Sequence, residues 1–267
     1  MSMRKIFLII LPILFVTVSY AQQNSVDCKR LDFLNDKVDL HAFSFSGQVK
    51  EIKILEKYPE SESPQEVTTT IKFDEKGRIS ETFLTDARIK MYGRTVYSYD
   101  AQNRIIKKTN YNPDGSAVLE YVFTYGSNGG LESKATQNAV TKKVISKTEY
   151  KYESPESYLL FYDGKFARRI KLTKDDKCRI VESNLYEEDK NLENKITTSF
   201  DDKNNIIESI VYSPNGNQIE KTKYEYDYDN KGNWTKQNIY EWTFRDGNEP
   251  YKLTIIKQRT ITYSETK

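Results

Sequence analysis

The chain has 267 residues, with 41 Lys and Arg against 39 Asp and Glu and a formal net charge of +2. A nucleic-acid-binding protein normally carries a clear basic surplus, so this balance argues against that partner. Twenty Tyr and twelve Phe argue against intrinsic disorder, because disordered chains are poor in aromatic residues.

The N-terminus has the three parts of a secretory signal peptide. Arg4 and Lys5 precede an apolar run from Ile6 to Val18, and small residues stand at Ser19 and Ala21. The run is shorter than the roughly 20 residues that a transmembrane helix needs. We therefore predict a signal peptide over residues 1–21, no transmembrane span after its cleavage, and an exported protein that is periplasmic, on the cell surface or secreted.

The next segment lacks the alternation of a β-strand. Leu31, Leu34 and Val38 have helical spacing. We predict that residues 22–43 form an N-terminal cap segment with a short helix, because the first unit of a repeat array needs a cover. Residues 44–267 are predicted to form the repeat domain.

The repeat is a frame of one aromatic residue, Asp, two polar residues, Gly or Asn, often Arg, and then Ile or Leu. Its copies are spaced by 22 to 28 residues and begin at Phe73, Tyr99, Tyr125, Tyr152, Lys174, Phe200 and Tyr228. Asp can accept hydrogen bonds from the backbone amides that follow it, and Gly or Asn tolerates the left-handed conformation that closes a type I turn with a bulge.

A second turn signal lies between these frames. Tyr111-Asn-Pro-Asp-Gly115 and Tyr212-Ser-Pro-Asn-Gly216 combine a proline that presets the first turn angle with a glycine that ends the turn. Between turns the residues alternate, as in Tyr224-Glu-Tyr-Asp-Tyr228. The sequence therefore predicts an all-β fold: an antiparallel β-meander of about seven 26-residue two-stranded hairpin repeats, twisted and curled or partly closed.

The frame resembles the YD (Rhs-type) repeat family over roughly residues 65–240. Tyr97-Ser-Tyr-Asp-Ala-Gln-Asn-Arg-Ile105 and Tyr226-Asp-Tyr-Asp-Asn-Lys-Gly-Asn-Trp234 carry the resemblance. Members of that family form spiralling antiparallel β-sheets in exported toxins and cell-surface proteins, where they act as shells, spacers or adhesive surfaces, and sugar binding has been proposed for them. The resemblance implies a β-meander with an extracytoplasmic, non-enzymatic role.

Catalytic patterns are weak throughout the sequence. The single histidine, His41, is interpreted as structural. A histidine-based zinc site needs more ligands than one, and the sequence has no Gly-x-Ser-x-Gly nucleophile elbow for a Ser-His-Asp arrangement. No metal and no cofactor is predicted. Two carboxylates are enough for glycoside hydrolysis, so a hydrolase with an unrecognised carboxylate pair stays open as an alternative to the non-enzymatic interpretation.

The two cysteines permit one disulfide. Cys178 occupies the Gly/Asn slot of its turn, and an exported chain can form a bond between Cys28 and Cys178. That bond would tie the cap segment to the fifth repeat. The alternative is two free thiols.

The C-terminal aromatic residues form the candidate ligand site. Aromatic rings beside polar groups can stack on sugar rings, whereas the simpler interpretation is a structural ladder of cross-strand pairs. The densest group comprises Tyr224, Tyr226, Tyr228, Trp234, Tyr240 and Trp242.

The function predicted from the sequence is that of an exported binding or scaffold module whose partner is a polysaccharide or an envelope protein. A polysaccharide-binding module that uses the C-terminal Tyr/Trp face is the first alternative. An outer-membrane barrel is disfavoured, because both faces of strands such as Ile105-Ile-Lys-Lys-Thr-Asn-Tyr111 carry polar residues.

Overall fold

The structure is a computed structural model that describes residues 48–59, 66–86, 91–243 and 250–264. Within these ranges the chain forms β-strands and no helix, and hence no helix that could cross a membrane. The predicted signal peptide and cap segment, with Cys28 and His41, lie outside the described residues. The strands are β1 (Val49–Lys57), β2 (Glu66–Phe73), β3 (Ile79–Asp86), β4 (Met91–Tyr99), β5 (Ile105–Tyr111), β6 (Ala117–Tyr125), β7 (Leu131–Asn138), β8 (Val144–Ser154), β9 (Ser157–Tyr162), β10 (Lys165–Lys174), β11 (Ile180–Tyr186), β12 (Leu192–Phe200), β13 (Ile206–Tyr212), β14 (Gln218–Tyr228), β15 (Trp234–Thr243) and β16 (Lys252–Tyr263).

The strands form one closed antiparallel barrel. Each strand pairs with the next along the chain, and β16 returns to pair with β1, from Val49 opposite Tyr263 to Lys57 opposite Ile256. The all-β antiparallel meander is thus confirmed. The expectation of a curled or partly closed sheet is replaced by full closure, which pairs the backbone groups that two edge strands would otherwise leave exposed.

The turn chemistry predicted from the frame is also confirmed. The Gly/Asn slot has a positive φ in six copies: Gly77, Asn103, Gly129, Cys178, Asn204 and Gly232. A register shift accompanies these turns, as between Ser98 and Tyr99 opposite β5. This is the bulge that closes the turn, and its extra residue alters the alternation of side chains beyond it.

The barrel has an inner and an outer wall, which the strand register separates. Residues directly opposite each other share a wall, and successive residues alternate between the two. On β14, Tyr224, Tyr226 and Tyr228 are half-buried on the inner wall, whereas Lys223, Glu225 and Asp227 are exposed on the outer wall.

Most of the apolar core lies on the inner wall at the end of the barrel that holds the Asp turns. One cluster packs Ile52, Ile71, Phe73 and Ile79 against Tyr97. The other clusters follow the same pattern around the barrel, with Ile105, Phe123 and Leu131 in one and Tyr158 and Leu172 in the other. The apolar contacts therefore hold the ends of the hairpins together where the Asp turns form.

Candidate functional site

In each turn that has both Asp and the Arg of the frame, the Asp carboxylate binds that Arg side chain. The Asp74 Oδ1 atom accepts hydrogen bonds from the backbone amides of Lys76 and Arg78, both at 2.9 Å. The Asp74 Oδ2 atom accepts from Arg78 Nε at 2.7 Å and from its Nη2 at 2.6 Å. The same carboxylate–arginine arrangement recurs at Asp100 with Arg104 and at Asp175 with Arg179.

The arginine of one turn also covers a ring of the next hairpin. The Arg78 guanidinium lies 4.5 Å from the centre of the Tyr99 ring, and the Arg104 guanidinium lies 4.4 Å from the centre of the Tyr125 ring. Arg179 lies 4.6 Å from the centre of the Phe200 ring. We call the boundary between one Asp-turn hairpin and the next strand a seam. At these seams a cation of one hairpin is packed on an aromatic ring of the other.

The tyrosine at a seam in turn donates a hydrogen bond from its hydroxyl group to a backbone carbonyl of the preceding hairpin. The Tyr99 hydroxyl donates to the Ile79 carbonyl at 2.7 Å, and the Tyr125 hydroxyl donates to the Ile105 carbonyl at 2.8 Å. Tyr152 bonds the Leu131 carbonyl in the same way at 3.0 Å. These bonds satisfy carbonyl groups where neighbouring strands have diverged, so the frame tyrosine joins hairpins as well as filling the core.

Two seams near the C-terminal end use a variant of this arrangement. Asn205 replaces the arginine, and its amide donates to the Tyr228 hydroxyl at 3.0 Å, which in turn donates to Asp201 Oδ2 at 2.8 Å. The cation is then supplied by a lysine of the same turn: Lys203 lies 3.5 Å from the centre of the Tyr228 ring. Lys231 lies at the same distance from the centre of the Tyr263 ring.

The electrostatics of the turns favour the ionised aspartates. Partial burial alone would raise the pKa of Asp74, Asp100 and Asp175, but the hydrogen bonds and charge of the adjacent arginine, with the backbone amides, outweigh it. The pKa of each carboxyl group is therefore lowered. Asp229 has a lowered pKa as well, since backbone amides and the Tyr263 hydroxyl offset its burial.

The structure divides the predicted aromatic group between the two walls. Tyr224, Tyr226, Tyr228 and Trp234 lie on the inner wall, whereas Tyr240 and Trp242 lie on the outer wall opposite Lys223 and Lys221. The cause is a bulge: Asp227 pairs with Lys236 and Tyr228 pairs with Trp234, which leaves Thr235 as an extra residue. The even spacing from Trp234 to Trp242 therefore does not place them on one face.

The inner rings are packed against each other. The Tyr226 ring centre lies 6.1 Å from that of Tyr228 and 6.0 Å from that of Trp234. The Tyr226 hydroxyl donates to the Ile206 carbonyl at 2.7 Å and accepts from the Gln237 side-chain amide at 2.9 Å. Burial raises the pKa of Tyr226 above its ordinary value. Such contacts are those of a structural ladder.

Arg259 covers the remaining face of the inner group. Its guanidinium lies 3.2 Å from the centre of the Trp234 ring, and the residue is only 7% exposed. Burial lowers the pKa of Arg259, although the neighbouring Tyr226 acts in the opposite direction. The Trp234 ring is thus sandwiched between β14 and β16 within the barrel wall.

The two outer rings lie beside charged groups. The Tyr240 hydroxyl donates to Glu225 Oε2 at 3.0 Å, and the Lys221 Nζ atom lies 5.0 Å from the centre of the Trp242 ring. Both rings are half-buried. They are the members of the predicted group that share a wall with solvent-exposed charges.

The outer wall carries ion pairs between neighbouring strands. Glu81 accepts from Arg94 at 2.7 Å and lies 3.6 Å from Lys72. Further pairs join Lys107 to Glu120 at 3.5 Å, Lys195 to Glu182 at 4.0 Å and Lys236 to Asp227 at 4.0 Å. These ion pairs give the outer wall a charged character, with Glu120 the one buried member among them.

An open cavity of about 420 Å³ lies where β7 and β8 diverge beyond the pair Ser133–Glu149. Its lining residues are Asn128, Glu132, Glu149, Tyr150, Lys151 and Tyr152. Sequence reasoning missed this cavity. The available signal was the frame Tyr125-Gly-Ser-Asn-Gly-Gly-Leu131, which has Gly126 in the Asp slot and Gly130 in the Arg slot.

Two further predictions concern the cysteines and metals. Cys178 has φ 61° in its turn and is disulfide-bonded, but the other cysteine lies outside the described residues, so the Cys28–Cys178 pairing stays a prediction. Among the residues that the structure describes, no group of three His, Cys, Asp or Glu side chains is arranged to hold a metal ion.

Neither comparison by sequence identifies a relative: no family model matches the chain. No curated protein matches it either. Comparison of structures gives distant likenesses. A porin-like protein from Bacteroides vulgatus is 13% identical with a TM-score of 0.46, and the match covers 83% of this chain and 100% of that one. A porin-like protein from Bacteroides uniformis is 14% identical with a TM-score of 0.43, covering 80% and 98%.

A third likeness is to a chain in the TcdB2-TccC3-Cdc42 complex. It has 16% identity and a TM-score of 0.29, and the match covers 72% of this chain but 10% of that one. All three TM-scores lie below 0.5, so these likenesses carry no argument about this protein.

Proposed function

We propose that this chain is an exported, non-enzymatic β-barrel that works in water, in the periplasm or at the cell surface, as a binding and scaffold module for envelope proteins. The observation that supports the proposal is the charged outer wall. Ion pairs such as Arg94–Glu81 and Lys107–Glu120 span neighbouring strands on that wall.

A barrel that faces lipid needs the opposite surface. Its outer wall carries an apolar band about 25 Å tall, and an Arg or Lys at the bilayer midplane costs about 2–4 kcal/mol. Lys223, Glu225 and Asp227 occupy successive outer positions of β14, all solvent-exposed. Water solvates such groups at little cost, so an aqueous compartment suits this wall.

Vesicles test the aqueous location. The full chain without its leader is added to phospholipid vesicles loaded with a fluorescent dye, and the vesicles are then floated on a density gradient. We expect the protein to stay in the aqueous fraction and the dye to stay inside. Flotation of the protein together with dye release would contradict the proposal.

Polysaccharide binding is the second candidate, and the outer position of Tyr240 and Trp242 favours it. Two rings on one wall, beside Glu225 and Lys221, combine an apolar platform with polar groups. The inner rings are less suited, because Trp234 is covered by Arg259.

A matched pair of variants separates the two aromatic positions. Binding of the protein to an array of bacterial and dietary polysaccharides is measured before and after Trp242→Ala and Trp234→Ala. If the outer rings bind glycan, Trp242→Ala lowers affinity about tenfold or more at unchanged stability, since loss of one ring stack costs about 1–2 kcal/mol. Trp234→Ala should instead destabilise the fold. Absence of binding to any glycan would remove this candidate.

The carboxylates of the cavity do not suit glycoside hydrolysis. Glu132 and Glu149 line the same cavity, but Glu132 is exposed and Glu149 is half-exposed. A general acid of a glycosidase needs a buried, apolar environment that raises its pKa.

Kinship with the YD repeat family is part of the proposal. Its support is that the Asp, Arg and Tyr of the frame make the same contacts at successive seams, for instance Asp74–Arg78–Tyr99 and Asp100–Arg104–Tyr125. On this proposal the chain is a short array of about seven hairpin repeats, and the frame is kept because it joins each hairpin to the next.

A further inference from the structure

Among the described residues, no cation covers the ring of the seam at Gly130, in contrast to the comparable seams. Rings at the equivalent position are covered by Arg78, Arg104, Arg179, Lys203 or Lys231. At this seam the ring is Tyr152, and the residue that would supply the guanidinium is Gly130. A Cβ atom placed on Gly130 would lie 3.1 Å from Tyr152 Cε2, so the ring lies directly beside the place where an arginine side chain would start.

The carboxylate of this seam is nevertheless present. Gly126 takes the Asp slot, and the Glu132 carboxylate lies against Gly126, in the place where an aspartate Cβ would stand. Glu132 and Tyr152 line the same cavity; burial raises the pKa of Tyr152 to about 12, and the negative charge of Glu132 adds to the rise. The seam thus has the two groups that contact a guanidinium at the intact seams, here the Glu132 carboxylate and the Tyr152 ring, but no arginine between them.

The cavity of about 420 Å³ described above lies beside this seam, and both Glu132 and Tyr152 line it. Asn128 also lines the cavity, and the Asn128 Oδ1 atom accepts a hydrogen bond from the Gly130 amide at 3.0 Å. The positive group on the rim, Lys151, is held away by the Phe161 ring, whose centre lies 4.3 Å from its Nζ atom. Glu149 is paired with Lys147 at 3.0 Å. Glu132 is therefore the acid that faces the gap.

We propose that this cavity binds the guanidinium group of an arginine side chain carried by a partner polypeptide, between the Glu132 carboxylate and the face of Tyr152. This inference rests on the proposed function as a module that binds envelope proteins. Its geometry is that of the intact seams, where the Asp100 carboxylate meets Arg104 Nε at 2.6 Å and the guanidinium lies 4.4 Å from the centre of the Tyr125 ring.

A guanidinium fits the cavity better than a sugar ring. A planar cation can stack on the ring and form a two-pronged hydrogen bond to the carboxylate at the same time. The protein itself fills the equivalent space with that group at Arg78, Arg104 and Arg179. The partner's arginine thereby completes the repeat at the seam where the chain does not.

The test is a titration of the full chain without its leader with the blocked tripeptide Gly-Arg-Gly, followed by NMR of the tyrosine ring resonances. Tyr152→Phe identifies the Tyr152 signal. We expect a saturable shift of that signal with a Kd in the millimolar range, as befits one side chain. The neutral control is the same tripeptide with citrulline in place of arginine, and it should produce no saturable shift.

Substitutions at the seam define the site. Gly130→Arg brings the chain's own guanidinium to this seam and also makes the Tyr152 ring shift, because a Cβ atom at residue 130 would lie 3.1 Å from Tyr152 Cε2; binding should weaken at least tenfold. Ser146→Arg adds the same charge at an exposed position of β8 that does not line the cavity, and binding should change less than twofold. Glu132→Gln should weaken binding about fivefold, the equivalent of about 1 kcal/mol.

A second site can be created at an intact seam. Arg104→Gly removes the guanidinium from between Asp100 and Tyr125, and a new saturable shift should appear at Tyr125. Arg78→Gly provides the same test at Tyr99 if the Arg104 variant does not fold.

Three results would overturn the inference: equal shifts with the citrulline tripeptide, equal weakening by Ser146→Arg and Gly130→Arg, or a shift produced by a methyl glycoside and not by the arginine tripeptide. These results are distinct from a failure of the proposed function, which would appear as insertion of the protein into vesicles.

Discussion

Two seams of the barrel differ by one side chain. At the first, Arg104 bridges the Asp100 carboxylate and the Tyr125 ring, and the space between the hairpins is filled. At the second, Gly130 leaves Tyr152 and Glu132 facing an open cavity. The tyrosine hydroxyl bonds a carbonyl of the preceding hairpin at both seams. The comparison teaches that core packing and tyrosine hydrogen bonds join the hairpins at both seams. The carboxylate–cation–ring contact, which we call the ion layer, adds to them only at the first.

The largest expected effect concerns the packing beneath the two seams. Ile105 and Leu131 follow the two turns and are 1% and 2% exposed. Ile105→Ala and Leu131→Ala should each lower the free energy of unfolding by about 3 kcal/mol, because each leaves a cavity in the core. Urea denaturation measures this, with Ile106→Ala, at a 37% exposed position, as the control that changes stability by less than about 1 kcal/mol.

Ile105→Ala and Leu131→Ala should lower the free energy of unfolding by similar amounts. A cost below about 1 kcal/mol for Leu131→Ala would contradict the comparison. It would mean that the open cavity extends into the core and that the seams differ in more than their ion layer.

The next effect sharpens the difference in the ion layer. Asp100→Ala removes the acceptor of two backbone amides and of Arg104, so unfolding should become easier by about 2 kcal/mol. Glu132→Ala at the open seam should cost less than about 0.5 kcal/mol, because Glu132 is solvent-exposed. Equal costs in urea denaturation would show that the carboxylates of the two seams are equivalent.

The smallest effect is the response to acid. Asp74, Asp100, Asp175 and Asp229 have a lowered pKa in the folded protein. Groups of this kind stabilise the fold above their ordinary pKa, near 3.9, and lose that contribution as the pH falls through the lower folded value. The free energy of unfolding should therefore decline below about pH 4. Asp100→Asn should flatten this decline, and identical slopes for the two proteins between pH 2 and 6 would argue against a stabilising ionised Asp100.

The sequence predicted the local features of the fold well. Asp at the start of most of these turns and Gly or Asn three residues later act through contacts within five residues, so Asp74 and Gly77 could be interpreted without knowledge of the rest of the chain. Strand alternation, as in Tyr224 to Tyr228, is equally local. The antiparallel meander follows from these signals repeated along the chain.

Closure and the two walls could not be predicted in the same way. Closure depends on the pairing of Val49 with Tyr263, which are separated by nearly the whole described chain. The bulge at Thr235 then decides that Trp234 faces inwards while Tyr240 and Trp242 face outwards. The predicted ligand group was a set of neighbours in sequence, and one extra residue in β15 divides it.

The cavity was visible in the sequence as a departure from the frame. From the sequence alone, Gly126 and Gly130 indicate only a turn, because glycine is common in turns. Their significance depends on Arg104 and its contact with Tyr125 in the next hairpin, which only the folded structure provides. Deviations from a repeat become informative once the role of each repeat position is known.

A double-mutant cycle tests the central claim, that a cation of one turn joins neighbouring hairpins by packing on a ring. Free energies of unfolding are measured for Arg104→Leu, Tyr125→Leu and the double variant, and in parallel for Arg78→Leu, Tyr99→Leu and their combination. We expect a coupling energy of about 1 kcal/mol between the cation and the ring at each of these two seams. Coupling energies near zero at both seams would contradict the account.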